Sequence, residues 1–201
     1  CLFCSCDNSS DDSSSPAATI DLTGTWYRVK TSQGGAPIVT VTLTYTATTC
    51  TRVESVYAPY DPSIHLLDIT FESTYAVTGT LTATHLYGNM TTAFKIDKTY
   101  TSITATPKSE AGVQSSNDVV AFGISNWQLN QSEDISGMTN EDTSEVYPEV
   151  GDILYDIHKK ESIGEEYTLF IGNTTIDGND GSSNATRPTY LSGAAYAEQV
   201  K

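Results

Sequence analysis

Metal or acid–base chemistry in this 201-residue chain would draw first on three histidines, four cysteines and one loop rich in Asp, Asn and Gly. His65, His85 and His158 lie on predicted strands far apart in sequence, so a shared metal site requires the fold to bring them together. Alternation places His158, beside Asp156 and opposite in phase to Ile157, on a polar and solvated face. Asp177-Gly178-Asn179-Asp180-Gly181 is similar to a calcium loop, but it misses the EF-hand spacing by one residue and lacks the downstream Glu. A tight hairpin turn accounts for the same residues without a cation. Glu165 and Glu166, neighbours on a predicted strand, point to opposite faces and make no acid/base pair. Cys1, Cys4 and Cys6 could clamp a soft metal with Cys50 as a fourth ligand, yet structural zinc sites usually come as two paired knuckles or include His. The zinc-protease, nucleophile-elbow and phosphate-loop motifs are all missing. The expectation is a non-enzymatic protein with no metal and no cofactor.

Tyrosine is the other chemically versatile residue, with twelve Tyr against five Phe and two Trp. Such a ring either lines a ligand cup, with its hydroxyl available for orientation, or girdles strands at a surface. Tyr45 and Tyr75 share the apolar phase of their segments and are expected to point inward, with Val41 and Leu81.

The elements that must position these side chains are strands. Val39 to Ala47 alternates strictly, with Val39, Val41, Leu43 and Tyr45 on one face and Thr40, Thr42, Thr44 and Thr46 on the other. The pattern recurs at Leu67, Ile69 and Phe71, and again at Tyr75, Val77, Leu81 and Ala83. Antiparallel sheets with one wet face show this alternation. Further strands are expected over 25–30, 51–57, 90–96, 101–106, 119–129, 153–159, 167–171 and 189–197, separated by turn signals such as Gly34-Gly35 and Gly88-Asn89. That makes ten or eleven short strands. The acidic stretch 130–151 reads as a solvated loop or long excursion. The fold class is therefore all-β, a single antiparallel up-and-down barrel, with a β-sandwich as the alternative.

Composition narrows the partners. A net charge of −15 and a sequence pI near 4.3 would repel phosphate backbones, which excludes nucleic acid as a partner. The same charge argues against adsorption on anionic lipid, and no apolar run is long enough to span a bilayer as a helix. Three of the four cysteines precede residue 7, so no disulfide framework staples the core.

Those cysteines carry a resemblance. Cys1-Leu-Phe-Cys4-Ser-Cys6, followed by a Ser/Asp run, resembles the start of a mature bacterial lipoprotein, in which an acylated cysteine precedes a flexible tether. The resemblance implies acylation at Cys1 or Cys6, a tether over 1–19, a folded domain over 20–201 and a cell-envelope location, outer membrane and surface-exposed. Several acyl chains would anchor it firmly, where one chain holds only marginally. A second likeness lies at the domain start, where Gly24-Thr25-Trp26 resembles the Gly-x-Trp signature of lipocalins. It implies an eight-stranded cup plugged at its closed end by Trp26, with Arg187, before the last strand, stacked across the indole. A cup of this kind implies an apolar small-molecule ligand against Val41, Tyr45, Tyr75 and Leu81, under a lid formed by 130–151 whose carboxylates disfavour anions. The alternative is a solid barrel serving as a structural or accessory subunit, with protein partners, in a surface assembly. A lumen cavity of several hundred cubic ångströms favours the first reading.

Overall fold

A computed structural model describes residues 19–30, 39–85, 88–141, 144–176 and 178–199. Residues 1–18 of the tether, with Cys1 and Cys6, and Asp177 of the candidate calcium loop lie outside the described residues.

Eleven strands form among the described residues, in chain order: β1 (Gly24–Lys30), β2 (Val39–Tyr45), β3 (Thr49–Ala58), β4 (Asp61–Thr84), β5 (Met90–Pro107), β6 (Glu133–Asp134), β7 (Thr139–Asn140), β8 (Glu145–Val146), β9 (Ile153–Ile163), β10 (Glu166–Ile171) and β11 (Tyr196–Glu198). β1 to β5, then β9, β10 and β11, close antiparallel into an eight-stranded barrel, β11 pairing with β1. β6 adds to β5 beyond the reach of β9, and β7 and β8 form a separate small ribbon. Closure leaves the barrel no free edge.

The expected strands at 67–71 and 75–83 are one long β4, and those at 90–96 and 101–106 one long β5. Two irregularities in their pairing, between Glu72 and Ser73 and between Val77 and Gly79, let this pair bend around the barrel. The second has a directional consequence. Val77 pairs with Ile96 but Gly79 pairs with Lys95, so Leu81 falls in phase with the outward side. Gly79 takes φ +137°, a backbone state open to glycine.

The expected strand at 119–129 is absent. In its place a helix α1 (Glu110–Asp118) precedes a single 3-10 turn at Ala121–Gly123. Ser109 caps α1 by accepting from the Gly112 N–H, and Glu110 sits favourably at its positive end. Gly112 lies against the Leu66 carbonyl, where a Cβ would come within 2.0 Å of the oxygen. The expected strand at 189–197 shrinks to β11, preceded by isolated bridges at Tyr190 and Leu191. Glu165 lies in the β9–β10 turn and Glu166 opens β10, both exposed, so the two do not share a strand.

Three apolar clusters result among the described residues. One fills the closed half of the lumen: Leu22, Trp26, Val41, Leu43, Tyr45, Ile96, Leu169 and Tyr196, with Tyr75 and Val77 against them. A second forms where β4 and β5 outrun the barrel, and 121–147 packs Phe122, Trp127, Ile135 and Tyr147 onto Ile69, Phe71 and Ile103. The third is on the outer wall, where Ala83, Ala93, Ile157 and Phe170 are covered by Leu191. The described residues of 172–195 therefore form a strap that leaves the cavity rim and carries Arg187 and Leu191 over the barrel's outside.

Candidate functional site: a polar cavity in the barrel lumen

Strand phase selects which side chains enter the lumen. Ile96 of β5 faces Asp156 of β9, so Lys98, Asp156 and His158 project inward as diagonal neighbours of one seam. Asp156 saturates its carboxylate. Oδ1 accepts the N–H groups of Ile157 (2.7 Å) and Gly172 (3.1 Å), and Oδ2 accepts from Lys98 Nζ (3.2 Å) and His158 Nε2 (3.0 Å). Gly172 is obligatory for this approach, because a Cβ there would meet Asp156 Oδ1 at 2.6 Å and Pro188 Cβ at 2.8 Å.

His158, expected in solvent, is 0% exposed. Its Nε2–H faces Asp156, which leaves Nδ1 as the acceptor for the Tyr45 hydroxyl at 3.5 Å from across the lumen. Burial, with Lys98⁺ nearby, pulls the His158 pKa down against the opposing pull of Asp156, so the imidazole is neutral at pH 7. For Asp156 burial acts upward, but Lys98, His158 and the hydrogen bonds outweigh it and hold the carboxyl well below the usual range. Lys98 is raised, since Asp156 overcomes the cost of burying the ammonium. Burial, reinforced by Cys50 and Asp156, keeps Tyr45 a phenol. The seam therefore holds one buried ion pair and two neutral hydrogen-bonding rings.

On the open side of this floor lies a cavity of about 400 Å³. Leu43, Phe71, Leu154 and Ile171 give it apolar wall; Arg28, Arg52, Lys98, Asp156, Tyr100 and Tyr196 give it polar wall; and Gly172–Thr175 with Ser192 form its rim. Arg28 Cζ lies 4.7 Å from the Tyr196 ring centroid and Arg52 Cζ lies 5.0 Å from that of Phe71, positions that suit cation–π attraction. Arg52 also pairs with Glu54.

The sequence-expected residues fall as follows. Trp26 is fully buried, its indole N–H donating to the Leu22 carbonyl at 2.9 Å, beside Gly24, whose φ of +138° opens β1. Arg187 is not its cation. Arg187 lies on the outer wall over Tyr155, bonded to the carbonyls of Ile96 and Asp156 and to the carboxylate of Asp97, because the strap that carries it passes outside the barrel. The cation over Trp26 is Lys160 of β9, 5.2 Å from the ring. Val41, Tyr45 and Tyr75 belong to the packed closed half of the lumen, and Tyr75 donates to the Thr46 carbonyl. None of the three lines the cavity. Leu81 packs on the outer wall, turned there by the irregularity at Gly79. None of the described residues of 130–151 lines this cavity; Tyr147 stacks on Phe71, 5.9 Å between centroids, and with Val146 and Pro148 bounds a neighbouring pocket that shares Tyr100 and Leu154 with it.

The histidines stay apart: His65 stacks on Tyr57 and bonds Asp68, and His85 packs edge-on to Phe170. No group of three His, Cys, Asp or Glu side chains among the described residues is placed to hold a metal ion. Asp180 accepts the Ser182 N–H, and the Gly181 backbone bonds to Tyr155 and Thr186, which makes that loop a structural turn against β9.

Sequence reasoning missed Arg28, Arg52, Lys98 and Asp156. A signal for two of them was present. Period 2 from inward Trp26 places Arg28 inside, and period 2 from inward Ile96 places Lys98 inside. The chain matches no family model, and no curated protein is recognisably similar to it in sequence.

Proposed function

We propose that this protein is a non-enzymatic binding protein of the bacterial cell envelope, tethered by an acylated N-terminal cysteine, whose barrel holds a small molecule in its open half. The observation that carries the reading is the lumen cavity of about 400 Å³, within the size range of small-molecule sites and walled about equally by apolar and polar side chains that converge from the barrel strands. A solid barrel acting only as an assembly part gains nothing from Arg28, a cation on the cavity wall with no carboxylate partner among the described residues, since buried charge costs free energy unless it is used or paired. The Gly24-Thr25-Trp26 start and the buried Trp26 at the closed end support likeness to a lipocalin cup. The Cys-rich start and Ser/Asp tether support lipid anchoring.

Two measurements test the two halves independently. Native mass spectrometry of protein purified from its own source is expected to show a bound small molecule that leaves on solvent extraction. Intact-mass analysis is expected to show acyl chains on Cys1 or Cys6. Protein that carries nothing and binds none of a panel of lipids and hydrophobic dyes removes the binding function; unmodified cysteines remove the anchor.

A further inference from the structure

We propose that the occupant of the lumen cavity is an amphiphile with a single carboxylate head, seated between the guanidinium groups of Arg28 and Arg52, with its apolar body against Phe71, Leu154 and Ile171. The proposal rests on the binding function above and assigns its ligand class.

The first support is charge. Arg28, Arg52 and Lys98 all reach the cavity, against Asp156 on its wall and Glu54 behind Arg52. Asp156 is matched by Lys98, and Glu54 by Arg52. Arg28 has no carboxylate within ion-pair distance among the described residues. One positive charge is therefore left over, in a chain of net charge −15. A cation enclosed by low-dielectric walls attracts an anion more strongly than a surface cation does.

The second support is unused hydrogen-bonding capacity. A guanidinium carries five N–H donors. Among the described residues Arg28 makes one long bond, from Nη1 to the Ala194 carbonyl at 3.4 Å, and Arg52 bonds only Glu54 through Nη2. Nε of each is buried without a partner. Buried donors left unpaired are costly, and the planar fork of Arg matches a carboxylate in two parallel bonds.

The third is placement. Arg28 on β1 lies opposite Val41, and Arg52 on β3 opposite Leu43, so only β2 separates them and their strands lie about 10 Å apart. Leu43 lies between them in the cavity wall, and Tyr196 stacks under Arg28. Tyr100 and Tyr196, both pushed up by burial, remain phenols that can donate to the same head. A carboxylate head with an apolar tail satisfies the cations and leaves the tail for the hydrocarbon wall.

The test is competition against the neutral dye Nile red, using the full chain after solvent extraction, with three probes of equal chain length: decanoate, decanol and decyltrimethylammonium. Decanoate is expected to bind at least about tenfold tighter than decanol, with the ammonium weakest. Arg28→Gln, and separately Arg52→Gln, are expected to lose about tenfold in decanoate affinity while decanol changes less than about twofold. Retained dye and decanol binding shows that each variant is folded. Decanol binding as tightly as decanoate to the parent, or both variants keeping full decanoate affinity, overturns the carboxylate head and leaves the cavity function standing. Failure of the dye and all three probes to bind overturns the cavity function, and this assignment with it.

Discussion

Asp156 is the side chain on which the barrel interior turns, because its four hydrogen bonds join β9 to β5, to Gly172 just past β10 and to the His158 ring. Removing one partner of a buried pair leaves an uncompensated charge. Asp156→Ala should cost about 3–5 kcal/mol in urea unfolding, the Lys98 ammonium being the orphan. The titrations set a pH window. His158 has a folded pKa below its ordinary 6.5, so as pH falls through that value the unfolded chain gains a proton that the folded one refuses. Stability therefore drops with falling pH, at up to about 1.4 kcal/mol per pH unit for one proton. Asp156, depressed from 3.8, contributes stability that is present above that pH and lost below it. Unfolding free energy is expected to slope downward from about pH 6.5, and His158→Gln to flatten the slope between about pH 6.5 and 5. An unchanged slope in the variant would place the titrating group elsewhere. Lys98, raised from 10.5, keeps its contribution below that value and loses it only at higher pH.

At the scale of elements, two attachments are separable. The closed end depends on Trp26 packed among Leu22, Val41 and Leu169, so Trp26→Ala should cost about 3–5 kcal/mol through the cavity it leaves. Lys160→Met keeps the stem over the indole and removes only the cation, and should cost about 1 kcal/mol or less. The strap over the outer wall depends instead on Arg187, which is 5% exposed and reaches two backbone carbonyls, the Asn184 amide oxygen and Asp97. Arg187→Lys replaces a rigid fork by a point charge and should cost about 2 kcal/mol, leaving Trp26 fluorescence unchanged because the two sites lie on opposite sides of the wall. A shift in Trp26 emission in that variant would contradict the placement.

At the scale of the whole molecule, the charge distribution makes salt act in two directions. A net charge of −15 repels itself in the compact state, so raising ionic strength from about 0.01 to 0.15 M should raise the urea midpoint of the ligand-free protein as the Debye length falls from about 30 to 8 Å. The same change should weaken a carboxylate ligand held by Arg28 and Arg52. A ligand at about a hundred times its Kd adds about 2.7 kcal/mol to unfolding, readable as a rise in Tm. That increment should shrink with salt for decanoate and hold steady for decanol.

The sequence by itself determined the local structure. Strict alternation in 39–47 and 67–83 specified strands, Thr against Val and Leu gave each strand two chemically distinct faces, and Gly24-Thr25-Trp26 marked the start of the first one. All-β architecture follows from many such strands with short turns, but the choice of barrel over sandwich was made only by the pairings of β11 with β1 and of β4 with β5 that close the sheet. Which face becomes the lumen is not a local property, because a period of two sorts side chains into two sets without saying which set is enclosed. In β9 the polar set, Asp156 and His158, turned inward and apolar Ile157 outward, because the strap from 172 to 195 covers the outer wall and makes it dry as well. In β4 the extra residue at the Val77–Gly79 irregularity reversed the phase and carried Leu81 outside. The path of the strap likewise put Arg187 behind the wall and left Lys160 over Trp26. Tertiary closure alone decided that the cationic cavity exists, since Arg28, Arg52 and Lys98 sit on three strands and meet only once the sheet rolls up.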